Sequence, residues 1–505
     1  MGGLGGASSL PPSGRRALAV LAGALLISTF AGALHDASHA WDSLYYHLPF
    51  AARLAGILPP SAYVFSAANQ ARFDGFPLLG ELLQGLLWRL SGRPEFANLV
   101  AFAAIPALAW FMARRFRVPW YLSVLALLSI PLVQAHASSC YVDLPANAAA
   151  AVVVLLTFEA YASKSPVPVR DLVLACGAAA LAANVKELLH PILLVALVAL
   201  AVRAIQLEPR RRLVLSGGFA FALVLVFATP LKNLALHHNP YYPVHWSALG
   251  LDLPGPEEPY ATSPLWLEHA PRPVRFVCSL LEVGLRPLTS TRRWTVDQWM
   301  PEDATGYRMG GFFGAAVVAH LFLLAWRAMK GGSRAVRKVA LAFVAFTALV
   351  SVMPQSHELR YYMVWMIALV LLNLRLCLPS PAPAGEGSGM GAGVGAAWEG
   401  SGTGAATAGE ASAMGATALV CVASLGVVLA VTRCSYVYPS GIGFDQMVRA
   451  EVDPSVLSTV HDGSRVCVRD EPWDILWAAR FHPPRRYVVK EGETSTECAG
   501  YRTVD

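Results

Sequence analysis

The sequence predicts an all-α polytopic membrane protein, with about eleven transmembrane helices and a small α/β extracytoplasmic unit at its C-terminus. Of its 505 residues, 55% are hydrophobic and only 14% are charged, whereas a soluble globular chain carries about 25% charged residues. Apolar runs that approach the roughly 20 residues needed to cross a bilayer recur along the chain. Since the basic residues lie in short clusters between these runs, the net charge of +6 indicates membrane topology and no nucleic-acid partner.

The first apolar run is interpreted as an uncleaved membrane anchor. Residues 1–16 are rich in Gly, Ser and Pro and are expected to form a cytoplasmic tail. Residues 17–34 are apolar throughout, which is longer than the core of a signal peptide at about 7–15 residues. A cleaved signal is the alternative, because Ser38-His39-Ala40 loosely resembles a cleavage site. Both interpretations place the segment that follows outside the cytoplasm.

Ten further spans are expected after two short amphipathic stretches. Residues 44–58 and 77–90 are predicted to form helices that lie at the membrane interface, the second of them containing Glu81 and Arg89. The spans that follow lie at about residues 95–113, 118–134, 145–162, 171–185, 187–205, 212–230, 308–327, 338–354, 360–378 and 415–432.

The distribution of charge supports this topology. With these spans, every basic cluster falls in the cytoplasm, as the positive-inside rule requires. The basic clusters lie at residues 114–117, 164–170, 203–212 and 327–338. The polar clusters of more varied chemistry fall on the opposite face, at residues 35–74, 136–143, 186–187, 232–307 and 355–362.

The last part of the chain is predicted to be a linker, a span and a soluble unit. Residues 379–414 are a low-complexity Gly/Ala/Ser sequence, expected to be disordered and cytoplasmic. Residues 433–505 would lie outside, with strands at 464–468 and 486–490 and a helix at 473–481. Cys467 and Cys498 form a disulfide or stay free thiols, and the sequence leaves both open. The eight cysteines have no zinc-ligand spacing.

The polar segment after the first span contains the first candidate site residues. Asp42 lies in WDSLYYHLP, where a carboxylate can accept a proton from a hydroxyl or cap the following helix. Tyr46 and His47 either orient a ligand or anchor the interface. Asp143, in YVDLP, begins a span at the same face, as a second site carboxylate or as a favourable charge at a helix N-terminus.

Cationic candidates occur on the same face. Lys186 and Glu187 interrupt an apolar stretch, and ionisable residues at membrane depth favour a functional interpretation. The alternative is that both are solvated in an outer turn. Arg360 opens a span on the outer face, against the positive-inside rule, so a specific partner is expected. Its guanidinium matches phosphate oxygens, or it pairs internally with Glu358 or Asp143.

The largest outer loop begins with KNLALHHNPYYP at residues 232–243. Its Asn-Pro and Tyr-Pro steps indicate a rigid turn, which by itself accounts for the pattern. The aromatic residues as far as Trp299 fit a carbohydrate or lipid-head cleft and equally an aromatic belt. A metal role for His237 and His238 is disfavoured.

The order of these motifs resembles a known family. The sequence contains WDSLYYHLP, FPLLGELL, YVDLP, a lysine between two spans, a KN…NPYYP turn and a late RYY, in that order and on one face. This set is similar to the bacterial polyprenol-phosphate-sugar-dependent glycosyltransferases of the GT-C superfamily, relatives of protein O-mannosyltransferases and lipid A aminoarabinose transferases. The resemblance covers roughly residues 17–378.

The resemblance implies a role for each candidate residue. Asp42 would match the catalytic base and Asp143 the second outer carboxylate, which supports the acceptor or a divalent ion. Lys186 and Arg360 would hold the donor phosphate. The residues expected to bind substrate are Tyr46, His47, Glu187, Asn239, His357 and Tyr361.

The implied activity is inverting transfer of a sugar from polyprenyl phosphate to a hydroxyl of a glycan, lipid or protein. It would take place at the extracytoplasmic face of the bacterial inner membrane, with no certain cofactor and a divalent metal as an option. Two other classes stay open. A transporter or flippase would show internal repeats or broken helices, and an O-antigen ligase or polymerase would carry an Arg-rich outer loop.

Overall fold

The computed structural model of the protein describes residues 11–248, 250–260, 263–284, 289, 293–296, 309–330, 334–377, 408–430, 437–469, 471–492 and 494–504. Most of these residues are helical. The α-helices are α1 (Pro12–His35), α2 (Leu48–Leu54), α3 (Ala67–Gly75), α4 (Leu79–Ser91), α5 (Leu99–Phe116), α6 (Trp120–Leu128), α7 (Pro131–Ala137), α8 (Asp143–Ala162), α9 (Val169–Ala183), α10 (His190–Leu207), α11 (Arg212–Val226), α12 (Ala228–His237), α13 (Arg272–Leu280), α14 (Gly314–Lys330), α15 (Arg334–Val352), α16 (Met363–Arg375), α17 (Ala408–Ala430), α18 (Phe444–Glu451) and α19 (Pro454–Ser458).

Strands and shorter helical turns complete the architecture. The strands are β1 (Tyr63–Val64), β2 (Trp246–Ala248), β3 (Leu251–Leu253), β4 (Arg465–Val468), β5 (Val488–Glu491) and β6 (Arg502–Val504). A π-helical turn covers Ser43–His47. The 3-10 helices are Pro94–Asn98, Glu187–Leu189, Pro209–Arg211, Leu265–Leu267, Leu359–Tyr362, Trp473–Trp477 and Ala479–Phe481.

The described helices are those of a membrane protein. Five are long and apolar enough to cross a bilayer by length and composition, namely Pro12–His35, Pro94–Phe116, Asp143–Ala162, Glu187–Leu207 and Arg334–Val352. Two bent pairs, α6 with α7 at 98° and α11 with α12 at 56°, raise the number to seven if each is one span. Apolar side chains such as Val198, Phe221 and Val344 stay exposed along α10, α11 and α15, as expected of surfaces that face lipid.

The eleven predicted spans are not all matched by helices of spanning length. The predicted spans at 171–185, 308–327, 360–378 and 415–432 coincide with α9, α14, α16 and α17. The apolar part of each is shorter than a full span: α16 has 13 residues, or about 20 Å against the roughly 30 Å of a hydrocarbon core. Helix α17 also begins at Ala408, inside the predicted linker, whose residues 379–407 lie outside the described ranges.

The basic clusters lie at one end of the helix bundle. Arginines of three clusters, and Arg375 at the end of α16, contact neighbouring helices there. Helices α8 and α16 both run from this end toward the candidate site residues. The contacts join Arg115 to Asp171 at 2.8 Å, Arg203 to the Ser163 carbonyl at 2.7 Å, Arg327 to Thr417 at 2.6 Å, and Arg375 to Glu159 at 3.2 Å. Since α8 has 20 residues, the two ends of the bundle are about 30 Å apart.

The two predicted interfacial helices differ in environment. Helix α4 exposes leucines on one face, including Leu86 and Leu90, which fits the interface prediction. Helix α2 is instead buried, with Phe50 wholly enclosed. It packs so closely on α4 that a Cβ at Gly85 would lie 2.2 Å from the Ala51 carbonyl oxygen. The prediction for residues 44–58 is therefore wrong, because this stretch packs against protein.

The described part of residues 433–505 is joined to the first outer segment through a shared sheet. Strand β1 comes from the first outer segment and completes a parallel sheet of order β1-β5-β4-β6, in which Tyr63 pairs with Val489. The Asp36 carboxylate also accepts hydrogen bonds from the Ser440 and Gly441 N–H groups, at 2.7 and 2.9 Å. The C-terminal unit and the first outer segment are therefore folded together.

Within this unit, the predicted strands lie at β4 and β5. The predicted helix at 473–481 is two 3-10 helices, Trp473–Trp477 and Ala479–Phe481. Cys467 and Cys498, whose state the sequence left open, are joined in a disulfide. This bond links the end of β4 to the segment that precedes β6.

Candidate active site

Asp42 directly precedes the π-helical turn Ser43–His47, and its side chain does not cap that turn. Its side chain makes no capping hydrogen bond, so the structure does not support the alternative that Asp42 caps the following helix. The Leu48 N–H donates to the Ser43 carbonyl, five residues back. Such π-turns are rare and often occur at functional sites. Here the turn lies between Asp42 and α2.

The partner of Asp42 is Arg360. A guanidinium nitrogen of Arg360 lies 2.8 Å from Asp42 Oδ2, and Arg360 is only 1% exposed. A second carboxylate, Glu358, approaches the same guanidinium at 3.7 Å. The backbone N–H of Asp42 donates to the Tyr141 hydroxyl at 3.2 Å. The expected specific partner of Arg360 is therefore an internal carboxylate 318 residues away in sequence.

Asp143 and Lys186 form a second buried pair. Lys186 Nζ lies 3.2 Å from Asp143 Oδ1, and the Asp143 side chain is fully buried. Neither of its oxygens makes a hydrogen bond of ordinary geometry. Burial disfavours the charged form of Lys186, but the carboxylates of Asp143, Glu187 and Asp42 together outweigh this effect and raise the pKa of Lys186 above its usual value. Lys186 is therefore held charged inside the protein.

Tyr361 joins the two ion pairs into one cluster. Lys186 Nζ lies 4.8 Å from the centre of its ring and the Arg360 guanidinium 4.7 Å, both within cation–π range. The Tyr361 hydroxyl accepts a hydrogen bond from Arg360 at 2.9 Å. We call the set Asp42, Asp143, Lys186, Arg360 and Tyr361 the charge cluster. Its members come from four separate segments of the chain.

His47 lies beside the charge cluster, together with a residue that the sequence did not single out as a site residue. His47 is 1% exposed, and its Nδ1 is 2.7 Å from Glu81 Oε1 on α4. The centre of its ring lies 4.3 Å from that of Tyr46 and 5.4 Å from that of Tyr141, and the rings of both pairs are tilted relative to each other. The sequence predicts Glu81 only as a charge within an amphipathic helix. One face of α4 is buried, and its residues recur at helical spacing: Glu81, Gln84 and Trp88. This spacing is the sequence pattern that indicates a buried Glu81.

The remaining predicted residues differ in placement. Tyr46 is an electrostatic neighbour of Asp42 and Arg360, and Glu187 follows Lys186 in a 3-10 turn. The His357 carbonyl accepts from the Ser279 hydroxyl. Asn239 is different, because all three of its side-chain hydrogen bonds lie within its own loop.

Those bonds run from Asn239 to the Val244 and Pro254 carbonyls and from the Tyr241 N–H to Asn239. The structure therefore places Asn239 in the rigid turn that the Asn-Pro and Tyr-Pro steps by themselves predict. Trp299, the last of the aromatic residues considered for a cleft, lies outside the described residues.

The metal option has no formed site in the part of the chain that is described. No group of three or more His, Cys, Asp or Glu side chains there is arranged to hold a metal ion. Comparison with models of protein families, with curated proteins and with solved structures finds no match to the chain. The chemistry of the charge cluster is therefore the basis for a functional conclusion.

Proposed function

We propose that this chain is a membrane glycosyltransferase that moves a sugar from a polyprenyl-phosphate donor to an acceptor hydroxyl. The observation that carries the proposal is that two carboxylates and two cations from four segments meet at the bundle end opposite the basic loops. Inverting transfer needs one base for the hydroxyl and fixed positive charge for the phosphate leaving group. The charge cluster contains both kinds of group at close range.

The proposed roles follow the chemistry of each side chain. Asp42 takes the proton of the acceptor hydroxyl, whose oxygen then bonds to the anomeric carbon from the side opposite the phosphate. The bond from that carbon to the phosphate oxygen breaks, and polyprenyl phosphate leaves. Arg360 and Lys186 offset the charge that develops on the phosphate. Asp143 holds Lys186 in place and supports the acceptor.

We also propose the number of spans and the side of the membrane on which each end of the chain lies. Eleven spans in the GT-C arrangement would place the N-terminus in the cytoplasm and residues 433–505 outside, in a bacterial inner membrane. The separation of the basic end from the charge cluster, about 30 Å along α8, supports this orientation. The sugar donor would then lie with its lipid tail among the helices and its phosphate at the outer interface.

A transporter or flippase for a lipid-linked substrate is the second candidate. The observation that favours it is the pair of bent helices, α6 with α7 and α11 with α12, because transporters often contain broken helices. The position of the charge cluster at one end of the bundle favours the transferase, since transport sites lie near the bilayer midplane.

Sugar transfer in proteoliposomes tests the proposal. A panel of polyprenyl-phosphate sugars would be offered to wild type, to Asp42→Asn, and to Asp74→Asn as a control in an exposed acidic residue of the same outer segment. We expect transfer by wild type and the control, and loss of at least about 100-fold in Asp42→Asn, the range of general-base catalysis. Transfer that survives Asp42→Asn would remove Asp42 as the base. Lipid translocation without transfer would favour the transporter.

A further inference from the structure

Both cations of the charge cluster are already paired with carboxylates. Asp42 Oδ2 lies 2.8 Å from a guanidinium nitrogen of Arg360, and Asp143 Oδ1 lies 3.2 Å from Lys186 Nζ. With Glu358 beside Arg360, three carboxylates surround two cations. A phosphate brought to this cluster would add further negative charge to a set that is already net negative. Since an uncompensated charge in a buried site is costly, one carboxylate has to move away from its cation when the phosphate binds.

Asp42 is the carboxylate that is best placed to move. It is 8% exposed, whereas Asp143 and Glu358 are both at 0%. It also directly precedes the π-helical turn Ser43–His47, a geometry that is less regular than the α-helix that Asp143 begins. Displacement of Asp42 from Arg360 therefore disturbs less packing than displacement of either other carboxylate.

We infer that the resting site is self-inhibited and that the donor phosphate releases its own base. In the absence of donor, Arg360 holds Asp42 in an ion pair. When the phosphate binds Arg360, it takes the place of Asp42, whose carboxylate becomes free to accept a proton from the acceptor hydroxyl. Donor binding then precedes activation of the acceptor. This inference rests on the proposed function and adds an order of events to it.

A self-inhibiting ion pair and a purely structural one respond differently when Asp42 is neutralised. Asp42 competes with phosphate for Arg360, so removal of its charge makes phosphate binding tighter while it destroys transfer. A residue that merely held the fold would, when neutralised, leave phosphate affinity unchanged or weaken it. The two effects are measured separately, because binding of a polyprenyl monophosphate needs neither the sugar nor the acceptor.

The experiment measures binding of polyprenyl monophosphate to the full chain in lipid nanodiscs, with neutral polyprenol as the reference lipid. Asp42→Asn and Asp42→Ser remove the charge, and Asp42→Glu keeps it. Glu159→Gln is the matched control, since Glu159 pairs with Arg375 at 3.2 Å but lies about 24 Å further along α8 than Asp143. Two neutral variants are used so that misfolding of one leaves the other to decide.

We expect both neutral variants to bind the phosphate about tenfold more tightly than wild type or more. Asp42→Glu and Glu159→Gln should stay within about twofold of wild type. Equal or weaker binding by the folded neutral variants would overturn the inference and leave the proposed function intact. If wild type does not prefer polyprenyl phosphate to polyprenol, the proposed function fails, and the inference fails with it.

Discussion

At the scale of single residues, the charge cluster consists of groups that compensate one another. A buried lysine or arginine is tolerated because a carboxylate lies against it, and the reverse holds for each carboxylate. Asp143 and Lys186 depend on each other in this way at 3.2 Å. The same dependence makes the cluster costly to take apart, since removal of one partner leaves the other buried and unpaired.

Lys186→Met should therefore destabilise the protein more than it would at a solvated site. The variant leaves the fully buried Asp143 without its cation, at a cost of about 3–5 kcal/mol. The double variant Lys186→Met/Asp143→Leu should recover most of the stability, because an apolar pair replaces an ion pair, yet it should not transfer sugar. Thermal unfolding in detergent measures stability, and the exposed Lys232→Met serves as control. A single variant as stable as wild type would mean that the pair is solvated.

At the scale of elements, the C-terminal sheet holds the segment that presents Asp42. Glu491 ends β5 and accepts hydrogen bonds from the Ser66 N–H and the Asn69 amide, both at 2.9 Å. The Asn69 amide also donates to the Tyr45 carbonyl, in the π-helical turn that directly follows Asp42. The chain of contacts from sheet to loop to π-turn means that the C-terminal unit positions the proposed base.

This junction should weaken as the pH rises. Burial raises the pKa of Glu491 from 4.5 to about 7, although its hydrogen-bond donors oppose that effect. Between these two values the folded state keeps a proton that the unfolded state has lost. Stability from this group is thus complete below about pH 4.5 and is lost as the pH rises to about 7, by about 3 kcal/mol.

Hydrogen–deuterium exchange at β1 and β5 measures this effect. Protection should fall between pH 5 and 7.5 in wild type, after correction for the intrinsic exchange rate. Glu491→Gln should abolish the dependence. Glu497→Gln, at a half-buried residue that accepts a hydrogen bond from the Ala67 N–H, is the control. Wild-type protection that does not vary with pH would show that Glu491 stays ionised when buried.

At the scale of the whole molecule, the helix bundle has two chemically different ends. Basic residues contact the ends of neighbouring helices at one end, and the charge cluster lies at the other. Basic residues remain on the cytoplasmic side of a membrane. The fold therefore predicts that residues 163–168 and the C-terminus lie on opposite sides of the bilayer.

Epitope tags test this orientation. One tag would be inserted between α8 and α9, at Ser165, and another placed after Asp505. In sealed right-side-out vesicles an antibody should reach only the C-terminal tag, and in inverted vesicles only the tag at Ser165. Permeabilised vesicles, in which both tags should react, are the control. Access to both tags from one side would require an odd number of spans to be added or removed.

The sequence by itself determined the membrane class, the position of most helices and the segregation of the basic clusters at one end of the bundle, because hydrophobicity and charge clusters are properties of local composition. It also identified the members of the charge cluster one at a time. Only the tertiary structure decided what they pair with: Asp42 with Arg360 and Asp143 with Lys186. These contacts join segments far apart in sequence, which no local pattern encodes. The sequence also did not show that β1 completes the C-terminal sheet. A strand of two residues is too short to produce a recognisable pattern in the sequence, and it is defined only by its hydrogen bonds to β5.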